Sequence, residues 1–177
     1  MKGHHSVLLP ALLAALLLAS SLALTACDSS EGGSRTQPAN GQPIAVSLDV
    51  QPQASAGETI ALKLIVRNVS DRTVKLALGG QESEGFGGSH DFVVTLPGTT
   101  TEVWRWSHGK AFQAILSFKT LKPGKELVLT GEWDQRDNQG QAVAPGTYIV
   151  RGVLREGDPS KQVQTLETEP STLSISR

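Results

Sequence analysis

Residues 44–50 read IAVSLDV, in which four large aliphatic residues alternate with small or polar ones. A period of two is typical of a β-strand that buries one face. The same period returns in IALKLIV at 60–66, after a turn signal at Gly57. Comparable short apolar runs lie at 74–78, 92–96, 103–106, 115–118, 127–133, 148–154 and 173–175. Nine short strands separated by turn signals predict an all-β domain, an antiparallel β-sandwich over residues 44–177.

The composition excludes several classes of protein. The chain has 177 residues, 38% hydrophobic and 19% charged, which is neither a disordered polyelectrolyte nor a membrane bundle. A formal net charge of -1 argues against nucleic acid as a partner, because phosphate binding needs clustered positive charge. The sole cysteine, Cys27, excludes an intramolecular disulfide.

The first 43 residues predict export and lipid attachment. A basic start and a Leu- and Ala-rich run are typical of a signal peptide, which we place at 1–26. It ends Leu-Thr-Ala-Cys, which resembles a bacterial lipobox with Cys27 as the lipidated residue; the alternative is a signal anchor with a buried cysteine. We place the lipidated N-terminus and a flexible linker at 27–43, because this stretch is rich in Ser, Gly, Gln and Pro and has no apolar period. We therefore expect a lipoprotein anchored to the cell membrane on its extracytoplasmic side, in a leaflet that depends on the organism, with palmitate or a similar acyl chain and no other cofactor.

No motif for catalysis or metal binding emerges from the chain. Ser107 and His108 are adjacent, and neighbours on a strand point to opposite faces, so they do not form a nucleophile–base pair. His90 and His108 have no metal-ligand spacing. The polar stretch 134–140 departs from the calcium-loop pattern and reads as a solvated turn. We expect no catalytic residue and no metal site, and thus no enzyme.

Aromatic residues give three further expectations. Trp104 and Trp106 are two apart and share one face of a strand, which favours the core; a partner-binding patch is the alternative. Phe112 and Phe118 are expected in the core. Tyr148 follows a Pro-Gly corner and begins a strand, as in the tyrosine corner of immunoglobulin-type sandwiches, where the hydroxyl bonds to upstream backbone.

A set of these residues, mostly structural, also resembles a known family. The matching positions are Asp91, Phe92, Trp104, Trp106, Ser107, Phe112, Trp133, Asp134, Gly140, Pro145, Gly146 and Tyr148. In this order they resemble the BsuPI family, named for an intracellular proteinase inhibitor of Bacillus. The resemblance implies an immunoglobulin-like sandwich that binds and inhibits a serine proteinase. The namesake is intracellular, whereas this chain carries an export signal.

Two functions follow from these expectations. In the first, a membrane-tethered domain inhibits a proteinase through a rigid connection, with 97–110 and 134–146 as the candidates. In the alternative, the sandwich is a non-inhibitory envelope module for protein interaction or assembly, acting through a sheet face or edge. Rigid, protruding loops favour inhibition; an exposed apolar sheet face favours assembly.

Overall fold

The computed structural model describes residues 37–38, 43–81, 87–158 and 162–177. The predicted signal peptide, Cys27 and most of the predicted linker lie outside these ranges. Within them, no helix has the length and apolar character needed to cross a membrane.

The described residues form twelve β-strands and one short 3-10 helix. The strands are β1 (Gln37–Pro38), β2 (Ile44–Asp49), β3 (Gln53–Ser55), β4 (Ile60–Asn68), β5 (Val74–Gln81), β6 (His90–Thr95), β7 (Glu102–Arg105), β8 (Gln113–Leu121), β9 (Glu126–Trp133), β10 (Gly146–Asp158), β11 (Gln162–Glu167) and β12 (Ser171–Ser176). The 3-10 helix is Gly87–Ser89. All nine predicted strands are present, with altered bounds, and β1, β3 and β11 are additional. β1 falls inside the predicted linker and pairs with β2.

Two larger sheets and a separate two-stranded antiparallel sheet, β5–β8, make up the fold. The first sheet has the order β1-β2-β4-β9, and the second has the order β3-β12-β10-β6-β7, with β11 also paired to β10. The run β2-β4-β9 matches strands A, B and E of an immunoglobulin sandwich. The run β12-β10-β6-β7 matches G, F, C and C′. The connectivity is therefore that of an immunoglobulin-like sandwich, as the sequence predicts.

The two sheets meet across an apolar core. Alternate residues of β4, at 60, 62, 64 and 66, are fully buried, as the period of two predicts. They face Phe92 and Val94 of β6 and Val150 of β10 in one continuous cluster. β2 departs from strict alternation, since Ala45 and Ser47 are buried as well.

Tyr148 makes the hydrogen bond expected of a tyrosine corner. Its Oη donates to the carbonyl oxygen of Ala144 at 2.6 Å, and its ring packs edge-on against Trp133, with centroids 5.6 Å apart. Burial raises the pKa of the Tyr148 hydroxyl. The tyrosine thus fixes the chain where it crosses from the first sheet into β10.

The two-stranded sheet β5–β8 corrects one prediction. Phe118 was expected in the core, but it is 56% exposed. The register sets Phe118 opposite Ala77, whereas the buried Leu76 lies opposite Lys119, so Phe118 occupies the outer face. The Nζ of Lys75 lies 4.1 Å from the Phe118 ring centroid, a cation–π contact on the solvent side.

Candidate functional site

A groove runs along one side of the sandwich, where both sheets end. β9 is an edge strand of the first sheet, and β7 is an edge strand of the second. The groove has a volume of about 950 Å³ and is lined by β7, the turn at 106–110, the C-terminal part of β9 and the loop 134–140. It therefore contains parts of both connections that the sequence indicates as candidate contact loops.

Trp106 lies between the groove and the core. Its ring stacks on His90, with centroids 4.6 Å apart, and on Phe112, with centroids 5.8 Å apart. Only 7% of Trp106 is exposed, and the Nζ of Lys110 lies 3.6 Å from its ring centroid. Gly131 permits this packing, since a Cβ there would lie 2.9 Å from Trp106 Cδ1. Trp106 belongs to a turn and not to the predicted strand, because β7 ends at Arg105.

Trp104 lines the groove on the same side. It is half-buried and packs on Trp133, with ring centroids 5.9 Å apart. Both tryptophans thus contact the core and also line the groove. The two interpretations of this pair, core and partner-binding patch, are compatible in this geometry.

Asp91 anchors the turn beside Trp106. Its carboxylate is fully buried and accepts hydrogen bonds from Arg105 Nη1 at 2.8 Å and from Ser107 Oγ at 2.7 Å. The backbone N–H groups of Phe92 and Ser107 donate to its other oxygen, at 3.0 and 3.1 Å. Arg155 Nη2 lies 3.6 Å away. Because a buried carboxylate needs such partners, Asp91 fixes the positions of Arg105 and Ser107 together.

Arg105 joins Asp91 to a second carboxylate, that of Glu102. Arg105 Nε donates to Glu102 Oε2 at 2.8 Å, and Asn138 Nδ2 donates to Glu102 Oε1 at 2.8 Å. Burial opposes ionisation of Glu102, but the hydrogen bonds from Arg105 and Asn138 outweigh it, so the pKa of Glu102 is lowered. The pKa of Arg105 is raised, first by its hydrogen bond to Glu102, against partial burial, and then by Asp91. Both side chains are therefore charged and held in place.

Asn138 connects the loop 134–140 to β7. Its Oδ1 accepts from the Arg105 N–H at 2.9 Å, and its own N–H donates to the Val103 carbonyl at 3.0 Å. Within the loop, Asp137 Oδ1 accepts from the N–H groups of Gln139 and Gln141, at 2.9 and 2.8 Å. Sequence reasoning missed Asn138, because its partners lie more than thirty positions away and only the folded register brings them together.

The remaining predicted site residues serve mostly as structure. Asp134 forms an exposed ion pair with Arg136 at 3.6 Å, and Gly140 has a φ of 78°, which favours glycine. Pro145 is exposed and Gly146 begins β10. Phe92 and Trp133 are fully buried. Cys27 lies outside the described residues.

Ser107 and His108 follow Trp106 in the chain. The Ser107 hydroxyl is engaged by Asp91, and Ser107 and His108 lie in a turn rather than on a strand. Across the described ranges, no group of three or more His, Cys, Asp or Glu side chains could hold a metal ion. Two braced loops with half-buried indole and guanidinium groups form the kind of surface that carries protein-binding energy.

Comparison with solved structures gives matches of low sequence identity. One is the alkylpurine DNA glycosylase AlkC of Pseudomonas fluorescens, bound to DNA that contains an abasic-site analogue. It matches at 14% identity and TM-score 0.41, over 76% of this chain and 31% of that chain. A β-glucosidase from Listeria innocua matches at 16% identity and TM-score 0.34, over 75% of this chain and 16% of that one. The CARDB domain of PF1109 from Pyrococcus furiosus matches at 17% identity and TM-score 0.37, over 75% and 94% of the two chains. This chain thus spans less than a third of the glycosylase and about a sixth of the glucosidase.

Sequence comparison gives a family. No curated protein matches the chain. A family model described as BsuPI, intracellular proteinase inhibitor, matches residues 45–158, which are 114 of the 177 residues. The match begins in β2, ends with β10 and includes the groove, Asp91, both groove tryptophans and Tyr148. The chain therefore belongs to the BsuPI family.

Proposed function

We propose that this protein is a proteinase-binding domain that a lipid on Cys27 tethers to the outside of the cytoplasmic compartment. The groove and its two loops contact a serine proteinase and restrict its activity. Membership of an inhibitor family supports the proteinase as partner, and the lipobox-like sequence supports the tether. No cofactor is involved beyond the acyl chains.

The observation that carries this proposal is the bracing of the loops by Asn138. The Asn138 side chain forms hydrogen bonds with the Arg105 backbone and the Glu102 carboxylate. The buried Asp91 carboxylate accepts hydrogen bonds from the side chains of Arg105 and Ser107. A binding loop that is already ordered loses little conformational entropy on association, which is the advantage of rigid inhibitors. His108 and Lys110 are exposed on this braced frame and line the groove.

The distribution of exposed apolar side chains favours inhibition over assembly through a sheet face. In the described part of the chain, the large exposed apolar residues are Val69, Leu96, Ile115, Phe118, Val128 and Val163. They lie on β8, β9, β11 and two connections, and not on one face of either sheet. Scattered apolar residues of this kind are ordinary for a protein surface.

Titration against proteinases tests the proposal. The purified full-length protein in detergent is added to secreted serine proteinases of trypsin-like, chymotrypsin-like and subtilisin-like specificity, and hydrolysis of small substrates is followed. We expect loss of activity for at least one of them. Full activity of every proteinase at about micromolar excess of the protein, well above the dissociation constants of typical inhibitors, would remove the inhibitor function.

A pair of neighbouring variants tests the role of the bracing. Asn138→Ala removes two side-chain hydrogen bonds between the loop 134–140 and β7, so the inhibition constant should rise about tenfold or more. Gln139→Ala is the matched control, because Gln139 is exposed and only its backbone N–H is bonded. Equal inhibition by both variants would show that the bracing is irrelevant to binding.

A further inference from the structure

One edge of the groove has unpaired backbone groups. β9 pairs with β4 on one side, and no described strand pairs with its other side. β4 and β9 set Arg67 opposite Glu126, so the next opposed pair is Asn68 and Lys125. The N–H of Asn68 donates to the carbonyl of Lys125 at 3.0 Å, which makes this a hydrogen-bonded pair. In an antiparallel ladder, hydrogen-bonded pairs alternate with non-hydrogen-bonded pairs. Since Lys125 belongs to a hydrogen-bonded pair, the backbone groups of the odd-numbered residues of β9 face β4. The N–H and C=O groups of Val128, Thr130 and Glu132 therefore point away from β4.

A contact from the other sheet agrees with this assignment. Nε2 of His90 donates to the Thr130 carbonyl at 3.1 Å, from β6. Three groups remain without a partner among the described residues: the N–H of Thr130 and both backbone groups of Glu132. Thr130 and Glu132 line the groove, whereas Val128 does not.

The opposite edge of the groove is closed. On β7, the Val103 carbonyl accepts from the Asn138 N–H, and the Arg105 N–H donates to Asn138 Oδ1. Asn138 thus occupies the hydrogen-bonding positions that an added strand would use. Proteins commonly cover strand edges in this way. The edge of β7 is covered by Asn138, whereas the edge of β9 at 130–132 is not covered by any described strand.

The charges on β9 indicate what fits the open stretch. Glu132 is exposed, and no described cation lies within ion-pair distance of it, whereas Glu126 lies 3.8 Å from Arg67. A second copy of β9 is a poor occupant, because β9 contains no Lys or Arg that could lie opposite Glu132. Pairing about Leu129 would also set Glu126 against Glu132, and opposed like charges destabilise a strand pair. A strand with a basic side chain opposite Glu132 is complementary.

We propose that Thr130–Glu132 binds an extended segment of the partner protein by β-strand addition, with a Lys or Arg of that segment facing Glu132. Backbone hydrogen bonds supply affinity in this mode, and the side chain facing Glu132 supplies selectivity. The inference rests on the proposed function in assigning the partner to the same groove. It specifies which part of the partner is recognised.

Two capped hexapeptides, TTVKVT and TTVEVT, serve as probes of the full-length protein in detergent. Amide hydrogen exchange is measured at Thr130 and Glu132, and affinity by calorimetry. We expect the lysine peptide to slow exchange at both amides about tenfold and to bind up to about fivefold more tightly than the glutamate peptide, as expected for an exposed ion pair. Absence of slowing with either peptide, or equal affinity for both, would overturn the inference.

Proline variants locate the site. Thr130→Pro deletes the N–H that faces the groove and leaves the ladder to β4 intact, because proline is tolerated where a strand N–H faces solvent. Its affinity for the lysine peptide should fall about tenfold. Val128→Pro, on the same edge but outside the groove, should bind as the parent does. Where either proline variant unfolds, Glu132→Lys replaces it and should reverse the preference toward TTVEVT; an unchanged preference contradicts the inference.

The two proposals fail separately. Proteinase inhibition that persists undiminished in Thr130→Pro would contradict strand addition and leave the proteinase function standing. Slowed exchange with TTVKVT, in a protein that inhibits none of the proteinases, would support strand addition and contradict the proteinase as the partner.

Discussion

Replacement of Asp91 by asparagine should strongly destabilise the domain and loosen the groove. The carboxylate is fully buried and accepts four hydrogen bonds of 2.7–3.1 Å, one of them from Arg105. An amide turns an NH₂ group toward donors that need an acceptor, and leaves Arg105 with only Glu102. Breaking one side of a buried ion pair typically costs 3–5 kcal/mol, and we expect about 3 kcal/mol because Arg105 remains partly exposed.

Urea denaturation followed by tryptophan fluorescence measures this cost. Asp91→Asn should lower the midpoint with little change in the denaturant slope, because stability and not compactness is altered. Asp49→Asn is the matched control: Asp49 pairs with Lys63 at 3.3 Å, both side chains are more than half exposed, and the change should stay within about 0.5 kcal/mol. A destabilisation by Asp91→Asn no larger than that of the control would refute the reasoning that Asp91 organises the turn.

Four further predictions follow from other contacts. Gly131→Ala should cost about 1–3 kcal/mol of unfolding free energy, because its Cβ would lie 2.8 Å from the buried Phe92 ring; Gly79→Ala, with no atom within 4 Å, should be neutral or slightly stabilising in the same denaturation assay. Tyr148→Phe should cost about 1–2 kcal/mol by denaturation through loss of the bond to the Ala144 carbonyl. The pKa of Glu102 is lowered from its ordinary value of 4.5, so ionisation of Glu102 stabilises the fold above that pH. This contribution is lost as the pH falls through the lower pKa of the folded state. Glu102→Gln should therefore lose less stability than the parent as the pH is lowered from 4.5. Cys27→Ala should abolish acylation and processing, read by mass spectrometry of the protein from membranes.

Each of these predictions has a result that contradicts it. Equal stabilities of the two glycine variants would show that the close approach at β9 is not a constraint. An unchanged midpoint for Tyr148→Phe would remove the corner from the sources of stability. Parallel pH profiles would show that Glu102 has the same pKa in both states, and an acylated Cys27→Ala protein would refute the lipobox.

Local patterns in the sequence predict most of the sandwich. The alternation in β4 and in the first half of β10 is strong because these residues bury one face under the opposite sheet. The bond of Tyr148 is equally local, since its acceptor lies four residues upstream. Such features follow from a few neighbouring residues and require no knowledge of the partner strands.

The remaining features depend on register, which a single sequence does not specify. β3 is three residues long, and the two apolar residues of β11, Val163 and Leu166, are three apart, so neither strand has the period of two. Phe118 is apolar but lies on the outer face because of its pairing with Ala77. Asn138 acts through partners that are remote in sequence. The sequence therefore predicts only part of the site: it indicates Trp104 and Trp106 but not the hydrogen bonds of Asn138 to β7.

The parallel pairing of β3 with β12 has a consequence for how the chain folds. It joins Gln53 to Ser174, a separation of about 120 residues, and β12 also covers the edge of β10. The second sheet is therefore completed only after residues 171–176 have been synthesised. Folds dominated by such distant pairings acquire their native structure slowly, in milliseconds to seconds. A nascent chain with this topology cannot complete its second sheet until these residues are made. Under the export proposed above, the translocation machinery would meet a chain in which this sheet is still incomplete.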